Sequence, residues 1–439
     1  MDSFFTWREW VSKAGKGCIF AVACFLWLAF SLGMYGRAAE QEAQEKPPGE
    51  SKGSPTAARP DEPAAPGSQE PATAPAAEPA PGVIEKLQGR IVASQNWVEK
   101  KTGIRYYGFA DVLFSNPANL PHYATFGNLE VDLDRDFAPN LSASAAVVFE
   151  NDSAPELTVG FVDYYLGGKS VAPRGKIFVE KGFHLQLGRF DVPFGNDWLY
   201  FANKDRITVS PPWTTDLVMN GGYNEWGLRA FGAAPSYNYV FMILQGVGAG
   251  SSYGGRIGFT PFTNPFSLSR RMESHPLEVG FSYLYDINGQ NGFQERAWAF
   301  DFDVQSGGSH LVGEFMQRDN QGIDWEEHLL RLNGFHVTWI YRLPLPVKSP
   351  LSSFCRFDRF QRRTPMAPES PADAMMTGSD ADSWQWQRIN RLVAGLHWSW
   401  KEAFQFKLEY QQALGGDADL RQEMEIGKHS IFGQVVFVF

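Results

Sequence analysis

Over most of the chain, apolar and polar side chains alternate in segments of about ten residues or more. Within 296–304, Trp298 and Phe300 fall on one side, and Asp301 and Asp303 fall on the other. Successive side chains of a β-strand point to opposite sides, so each segment predicts a strand with one apolar and one polar face. A soluble antiparallel sandwich can alternate in the same way, but about ten residues is the length that a tilted membrane strand requires.

The connections between these segments favour a membrane barrel. We count about sixteen segments, which begin near residues 104, 122, 141, 156, 183, 224, 237, 253, 276, 296, 308, 331, 352, 388, 403 and 428. Long connections follow odd-numbered segments at 191–223, 319–330, 361–387 and 414–427. Very short connections follow even-numbered segments at Ala234–Ser236, Ser306–Gly307 and Lys401–Glu402.

Transmembrane barrels have this asymmetry, with short turns at one end and long loops at the other. The sequence therefore predicts an all-β, transmembrane antiparallel barrel of about sixteen strands over residues 102–439. Two connections after even-numbered segments, 167–182 and 262–275, are longer than the pattern, which leaves open a missed or misjoined strand at each.

The last segment, Ile431 to Phe439, is apolar and ends on an aromatic residue. In a soluble protein it would be an exposed edge strand and an aggregation hazard. In a barrel it pairs with the first strand, near Ile104, and closes the sheet. Phe437 and Phe439 share one face and resemble the terminal signal by which outer-membrane proteins are recognised for insertion, so they are the candidate insertion signal.

Residues 1–39 have the features of a cleaved signal peptide. Basic residues precede an apolar run from Cys18 to Met34, and small residues follow it at Gly36, Ala38 and Ala39. The alternative is an uncleaved membrane anchor, because the run is long for a signal peptide. A cleaved signal predicts export to the outer membrane of a Gram-negative bacterium.

Two segments separate the signal from the strands. Residues 40–82 contain ten prolines and no aromatic residue, Val, Ile, Leu or Met, which predicts a disordered Pro/Ala/Glu-rich linker. Residues 83–101 space Ile84, Leu87 and Ile91 as a short amphipathic helix would. Such a helix could pack on its own barrel or form a periplasmic coiled coil between subunits, and the segment could also be flexible.

Composition argues against several functions. The net charge of −10 gives no basic footprint for nucleic acid. After removal of the signal, Cys355 is the single cysteine, and no Cys/His spacing indicates a metal or cofactor. We expect no enzyme, since neither an HExxH nor a GxSxG motif occurs. A site built across strands, from His336 or His397 beside Ser399, is the alternative that spacing would not reveal.

Several stretches resemble the phosphate-selective porin O and P family over most of 104–439. These stretches are Val162–Tyr165, Leu187–Gly195, Gly313–Phe315, Val393–Trp400 and Phe406–Tyr410. The resemblance implies a sixteen-stranded channel, often trimeric, with a loop folded into its lumen. Arg189 and Asp191 depart from that pattern, and the family's arginine ladder and lysine ring have no residue-by-residue counterpart, so phosphate specificity does not transfer.

Selectivity of a pore depends on charged side chains in its lumen and constriction. The long connection 191–223 occupies the position of an inward-folding third loop. It supplies the candidate constriction residues Lys204, Arg206, Asp197 and Asp205, of which the first two could attract anions. The alternative is that these are solvated charges on an external loop.

The polar faces of the strands supply candidate lumen charges of both signs. They are Arg229, Arg256, Asp301, Asp303, Arg391, Lys407 and Glu409. Many of them could instead pair with each other and brace the wall. Aromatic residues near strand ends suit the girdles at the membrane interfaces, and these are Trp339, Tyr341, Trp398 and Trp400.

The predicted function is an outer-membrane porin, a passive channel for small hydrophilic solutes, with anions such as phosphate among the candidates. Its expected partners are outer-membrane lipid, its solutes and two further copies of itself in a homo-trimer. The alternative is a structural or adhesive barrel whose lumen is plugged and whose loops or N-terminal segment bind a partner.

Overall fold

The structure is a computed structural model that describes most of the chain from residue 83 onward. It describes 83–439 except for 118–122, 151–153, 168–181, 197–201, 223, 235, 246–249, 262–276, 288–293, 322–328, 346–349, 366–383, 402 and 425. The predicted signal peptide and linker therefore lie outside the described residues.

Within the described residues, helix α1 (Val83–Thr102) is followed by sixteen strands. In chain order they are β1 (Ile104–Pro117), β2 (Tyr123–Ala138), β3 (Leu141–Glu150), β4 (Glu156–Leu166), β5 (Gly182–Asp191), β6 (Asn224–Ala234), β7 (Tyr237–Gln245), β8 (Ser251–Phe259), β9 (Leu277–Ile287), β10 (Gln294–Ser306), β11 (Ser309–Gln321), β12 (Leu329–Arg342), β13 (Leu351–Pro365), β14 (Trp384–Trp400), β15 (Phe404–Gly416) and β16 (His429–Val438). A π-helical turn (Thr214–Val218) lies in the β5–β6 connection, and α2 (Ala418–Glu423) lies between β15 and β16.

The strands form a closed antiparallel barrel in which each pairs with its neighbours in the chain. β1 pairs with β16, with Phe109 opposite Val438, and Gly108 and Phe439 exchange two backbone hydrogen bonds. The predicted fold and seam are confirmed. β4 pairs directly with β5 and β8 with β9, so no further strand lies between the members of either pair.

The outward faces of the strands carry exposed apolar side chains, such as Leu187, Phe241 and Ile243. Aromatic rings gather on this face at the end with the short turns, where Trp339 stacks on Tyr341 with ring centroids 5.8 Å apart. Neighbouring strands extend the row, which we call the aromatic collar: Trp339, Tyr341, Trp398, Trp400, Phe404, Phe406, Phe437 and Phe439. An apolar outer surface bordered by aromatics is the pattern of a barrel in lipid.

Helix α1 packs on its own barrel, which is one of the three alternatives for this segment. The Tyr106 hydroxyl donates to Ser94 Oγ at 2.7 Å, and Gln95 Nε2 donates to the Tyr106 carbonyl at 3.0 Å. Near the other end of the helix, Lys401 in the β14–β15 turn pairs with Glu85 at 2.5 Å. Among the described residues, neither helix combines the length and apolarity that crossing a bilayer demands.

Candidate pore constriction

The connection after β5 folds into the barrel; we call its described residues, 192–196 and 202–222, the constriction loop. It enters along β9 and β11, where the Gly195 N–H donates to Ser282 Oγ at 3.0 Å and the Asn196 N–H donates to Glu314 Oε2 at 2.5 Å. Gly195 has φ 70°, and a Cβ there would lie 1.9 Å from Glu314 Oε2. Only glycine lets the backbone turn this close to the wall.

The loop next contacts a distant part of the wall. Asn203 Nδ2 donates to Asp111 Oδ1 on β1 at 3.2 Å, and Lys407 Nζ on β15 donates to the Asn203 carbonyl at 2.5 Å. Asn196 and Asn203 are seven positions apart in sequence, yet β11 and β1 are six strands apart around a ring of sixteen. The loop therefore reaches from one side of the lumen toward the other.

Glu409 and Arg356 hold the returning part of the loop. Glu409 accepts the Val209 N–H at 2.8 Å and the Ser210 hydroxyl at 2.5 Å. Arg356 donates to Thr208 Oγ1 at 3.1 Å and to the Ser210 carbonyl at 2.9 Å. Both wall side chains are buried, so these charge-assisted bonds form away from competing water.

One buried carboxylate, Asp358, joins the wall arginines. Its Oδ2 accepts from Arg356 Nε at 3.0 Å and from Arg391 Nε at 2.9 Å. Arg391 also donates to the Pro211 carbonyl and lies 4.4 Å from the ring centre of Trp213. Removing one member would leave buried charge uncompensated, which is costly.

The end of the loop returns along β12 and β11. Thr214 Oγ1 lies 3.0 Å from His336 Nδ1, and Arg318 donates to the Val218 carbonyl at 3.1 Å. The π-helical turn places one side of this segment against the wall, burying Thr214, Thr215 and Val218. The loop is thus fixed by hydrogen bonds along its described length.

Apolar packing fills part of the barrel interior around the loop. Val192, Phe194, Trp213, Val218 and Met219 are all buried in one cluster. Inward-facing strand residues and one residue of α2 complete it: Ala146, Val159, Phe161, Phe190, Met242, Leu244, Leu284, Ala297, Ala299, Met316, Phe360, Ile389 and Leu420. Barrel interiors are usually polar, so an apolar cluster here is unusual. Because its side chains are closely packed, the cluster narrows the lumen and holds the loop rigid.

The charges of the loop that face the remaining lumen are few. Lys204 pairs with its neighbour Asp205 at 2.8 Å, and both are partly exposed. Arg206 is close enough to Lys407 for the two cations to repel. Asp216 is exposed toward the cavity; desolvation inside the barrel raises its pKa, while Arg391 and other nearby arginines oppose that shift. Asp197, the remaining candidate, lies outside the described residues.

The predicted lumen charges divide into two groups. Lys407, Glu409 and Arg391 contact the loop, as described above. The others brace the wall: Arg256 pairs with Asp301 at 2.6 Å and with Glu278 at 3.0 Å. Asp303 contacts His310 at 2.8 Å.

Arg229 is the third bracing group. It donates to Gln186 Oε1 at 2.6 Å and stacks 4.3 Å from the ring centre of Phe190.

Five residues that hold the loop, directly or through Arg356 and Arg391, were not predicted to do so from the sequence: Asp111, Glu314, His336, Arg356 and Asp358. All five side chains face into the barrel, and the alternation of apolar and polar residues along each strand could have predicted that orientation. It could not have shown which inward charges meet the loop.

One histidine of the cross-strand catalytic alternative, His336, lies against the constriction loop. His336 contacts Thr214 and lies 3.9 Å from Glu314. In the ranges that the structure covers, no group of three or more His, Cys, Asp or Glu residues is placed to hold a metal ion.

No family model matches the sequence, and no curated protein matches it significantly. Among solved structures, the barrel is similar to a loop-L8 deletion mutant of OmpT, an outer membrane protein of Vibrio cholerae (TM-score 0.50, 9% identity, 76% of this chain and 99% of that one). It is also similar to OmpF of Salmonella typhi in complex with daunomycin (TM-score 0.50, 10% identity, 76% and 97%). OprB of Pseudomonas putida gives TM-score 0.50 and 10% identity over 80% and 97% of the chains. At these identities the similarity establishes a shared barrel fold.

Proposed function

We propose that this protein is an outer-membrane porin, a passive channel for small hydrophilic solutes that prefers anions. The observation that carries the proposal is the constriction loop, which lies inside a closed barrel and is anchored to strands from β9 to β1. An apolar outer surface with the aromatic collar supports a position in lipid. The structures with the same barrel fold include named outer-membrane proteins, which agrees with this location.

The anion preference rests on the arrangement of charges at the loop. Lys204 and Asp205 largely neutralise each other as a pair. Arg206 and Lys407 lie near each other at this part of the constriction, and the carboxylates of Asp111, Asp205 and Glu409 are also close to Lys407. The proposed anion preference requires the basic groups to outweigh these carboxylates in the local potential. Asp216 opposes this preference when it is charged, and desolvation inside the barrel raises the pKa of this carboxyl.

Reconstitution in planar bilayers tests the channel. Purified, folded protein should give discrete single-channel current steps. Under a salt gradient, the reversal potential should have the sign of an anion-selective channel. Absence of steps from protein that still shows the mobility shift of a folded barrel would overturn the proposal. We include phosphate among the solutes; phosphate added to chloride solutions should then reduce the chloride current in proportion to its occupancy of the constriction.

The plugged barrel is the second candidate, because the loop contacts nearly opposite walls and the apolar cluster fills part of the interior. It predicts that the native protein is silent in bilayers. Trp213→Ala, which removes a buried ring of the cluster and the partner of Arg391, should then open a conductance. If the protein is an open porin, the native protein should already conduct without the substitution.

We also propose a homo-trimer of the phosphate-selective porin type. Light scattering of the detergent-extracted protein, corrected for bound detergent, should give three times the mass of the mature chain. A monomer would remove this part of the proposal and leave the channel itself standing.

A further inference from the structure

Four arginines gather on the outward face of three neighbouring strands, and we call them the arginine patch: Arg331, Arg359, Arg363 and Arg388. Arg331 on β12 lies directly opposite Arg363 on β13. Arg388 on β14 lies opposite Gln361, which is between Arg359 and Arg363 on β13. Directly paired positions on one face are about 5 Å apart and diagonal positions about 7 Å, so the four cations crowd one small area.

The patch lies at a definite height on the barrel. On β14, ten positions separate Arg388 from Trp398 of the aromatic collar. Ten residues rise about 34 Å along a strand, or about 26 Å along the barrel axis at a tilt near 40°. The apolar band of a membrane barrel is about 25 Å tall. The collar and the patch therefore mark the two interfaces, and the patch lies at the one with the long loops.

One member of the patch has a compensating carboxylate, and the inference rests on two others, Arg359 and Arg388. Asp319 pairs with Arg331 at 2.7 Å and also accepts from Gln317. Arg359 Nε is shielded from solvent and makes no hydrogen bond to the described residues. Arg388 is near enough to Arg359 for the two to repel. Cations side by side at a lipid interface are costly unless an anion joins them.

We propose that the arginine patch binds the phosphate of an outer-leaflet lipid headgroup, a phosphorylated glycolipid. The guanidinium group donates two parallel hydrogen bonds to phosphate, and several of them around one interface site match a diphosphorylated headgroup. The amides of Gln361 and Asn390, at neighbouring positions on this face, suit sugar hydroxyls. The inference rests on the outer-membrane location proposed above, but on no property of the lumen.

Binding of lipid A by native mass spectrometry tests this site, with the dephosphorylated form of the same lipid as the second probe. Arg359→Gln/Arg388→Gln should weaken binding of the phosphorylated form by roughly tenfold or more, the loss of at least one charge-assisted hydrogen bond. Arg189→Gln is the control. Arg189 lies on the outward face of β5 at the same end of the barrel, beside Glu156 and away from β12, β13 and β14.

The site is supported if the patch variant and the loss of phosphate weaken binding to the same extent and their effects do not add. Equal binding of both lipid forms, or equal loss in the control variant, overturns it. Displacement of lipid A by millimolar inorganic phosphate would assign the patch to a free anion instead. Arg359→Lys keeps the positive charge but cannot donate two parallel hydrogen bonds to one phosphate, so it should bind with intermediate affinity. Every variant must still show the heat-modified electrophoretic mobility of a folded barrel.

Channel recordings of the same variants separate this inference from the proposed porin function. The patch variants should keep the native single-channel conductance, because these arginines face away from the lumen. A barrel that binds lipid A through the patch and does not conduct would refute the porin alone.

Discussion

Glu409, an inward carboxylate of β15, accepts the backbone N–H of Val209 at 2.8 Å, although Val209 lies in the loop that follows β5. The same carboxylate accepts from Ser210 and from Gln411 Nε2. Arg391 and Lys407 also lie close enough to interact electrostatically with this buried carboxylate. Glu409 thus attaches the middle of the loop to β15, a strand near the C-terminal end of the chain.

Glu409→Gln should loosen the constriction loop. The amide keeps one acceptor oxygen but turns an NH₂ group toward the N–H donors of Val209 and Ser210, so at least one buried donor loses its partner. We expect a loss of about 1–3 kcal/mol in unfolding free energy and larger current noise. Urea titration and single-channel recording measure the two effects.

Glu423→Gln is the control for that change. Glu423 pairs with Arg362 at 2.7 Å but is exposed, and exposed pairs contribute little. Equal noise in the two variants would mean that Glu409 does not hold the loop.

The period of two was sufficient to predict all sixteen strands, because a barrel buries every strand in the same way and repeats one signal along the chain. The seam at Phe439 followed from the same pattern, since an unpaired apolar strand must find a partner. The contact between Glu409 and Val209 had no such signal. It joins positions 200 residues apart, and nothing in the spacing of Glu409 distinguishes it from Asp301, which only braces the wall.

Lys204→Glu/Arg206→Glu should shift selectivity toward cations. The change reverses two charges at the loop and leaves Asp205 without its cationic neighbour, so the local potential becomes negative. Reversal potentials under a tenfold KCl gradient measure the shift, for which a change of sign is the expected result. Lys100→Glu/Lys101→Glu, an equal change on exposed positions of α1, should leave the potential near its native value.

An unchanged reversal potential in the Lys204/Arg206 variant would place both side chains outside the conducting path. A shift of equal size in the α1 variant would indicate that overall charge, and not the constriction, sets selectivity.

Selectivity should also depend on pH through Asp216. Desolvation raises the pKa of Asp216, so this carboxyl takes up its proton at a higher pH than an ordinary aspartic acid, whose pKa is about 3.9. Above its pKa the group is negative and opposes Arg206; below it the group is neutral. Anion preference should therefore increase as the pH falls toward the raised pKa of Asp216.

Asp216→Asn isolates this effect. The variant should show, already at neutral pH, the stronger anion preference that the native protein reaches in acid, and its reversal potential should change less with pH. Asp205 is a second carboxyl at the constriction, and Asp205→Asn should leave the pH response of the native protein in place. A native-like pH response in the Asp216 variant would assign the titration to another group.

Gly195→Ala tests whether the entry of the loop depends on close approach to the wall. The added Cβ would overlap Glu314 Oε2 and lie 2.5 Å from the terminal methyl of Met316, in addition to the strain of φ 70°. Either the loop shifts away from β11 or the Glu314 carboxylate moves away from the loop, and both changes disturb the bond from the Asn196 N–H to Glu314. Gly221→Ala is a matched control, because φ there is 84° but nothing lies within 4 Å of the added Cβ.

Backbone strain alone costs about 1 kcal/mol, so urea unfolding should show that loss for Gly221→Ala and a clearly larger one for Gly195→Ala. Only the Gly195 variant should gain protease sensitivity in the loop and altered conductance. Equal effects of the two substitutions would mean that glycine is needed at 195 for its backbone angles alone, and that contact with Glu314 does not position the constriction.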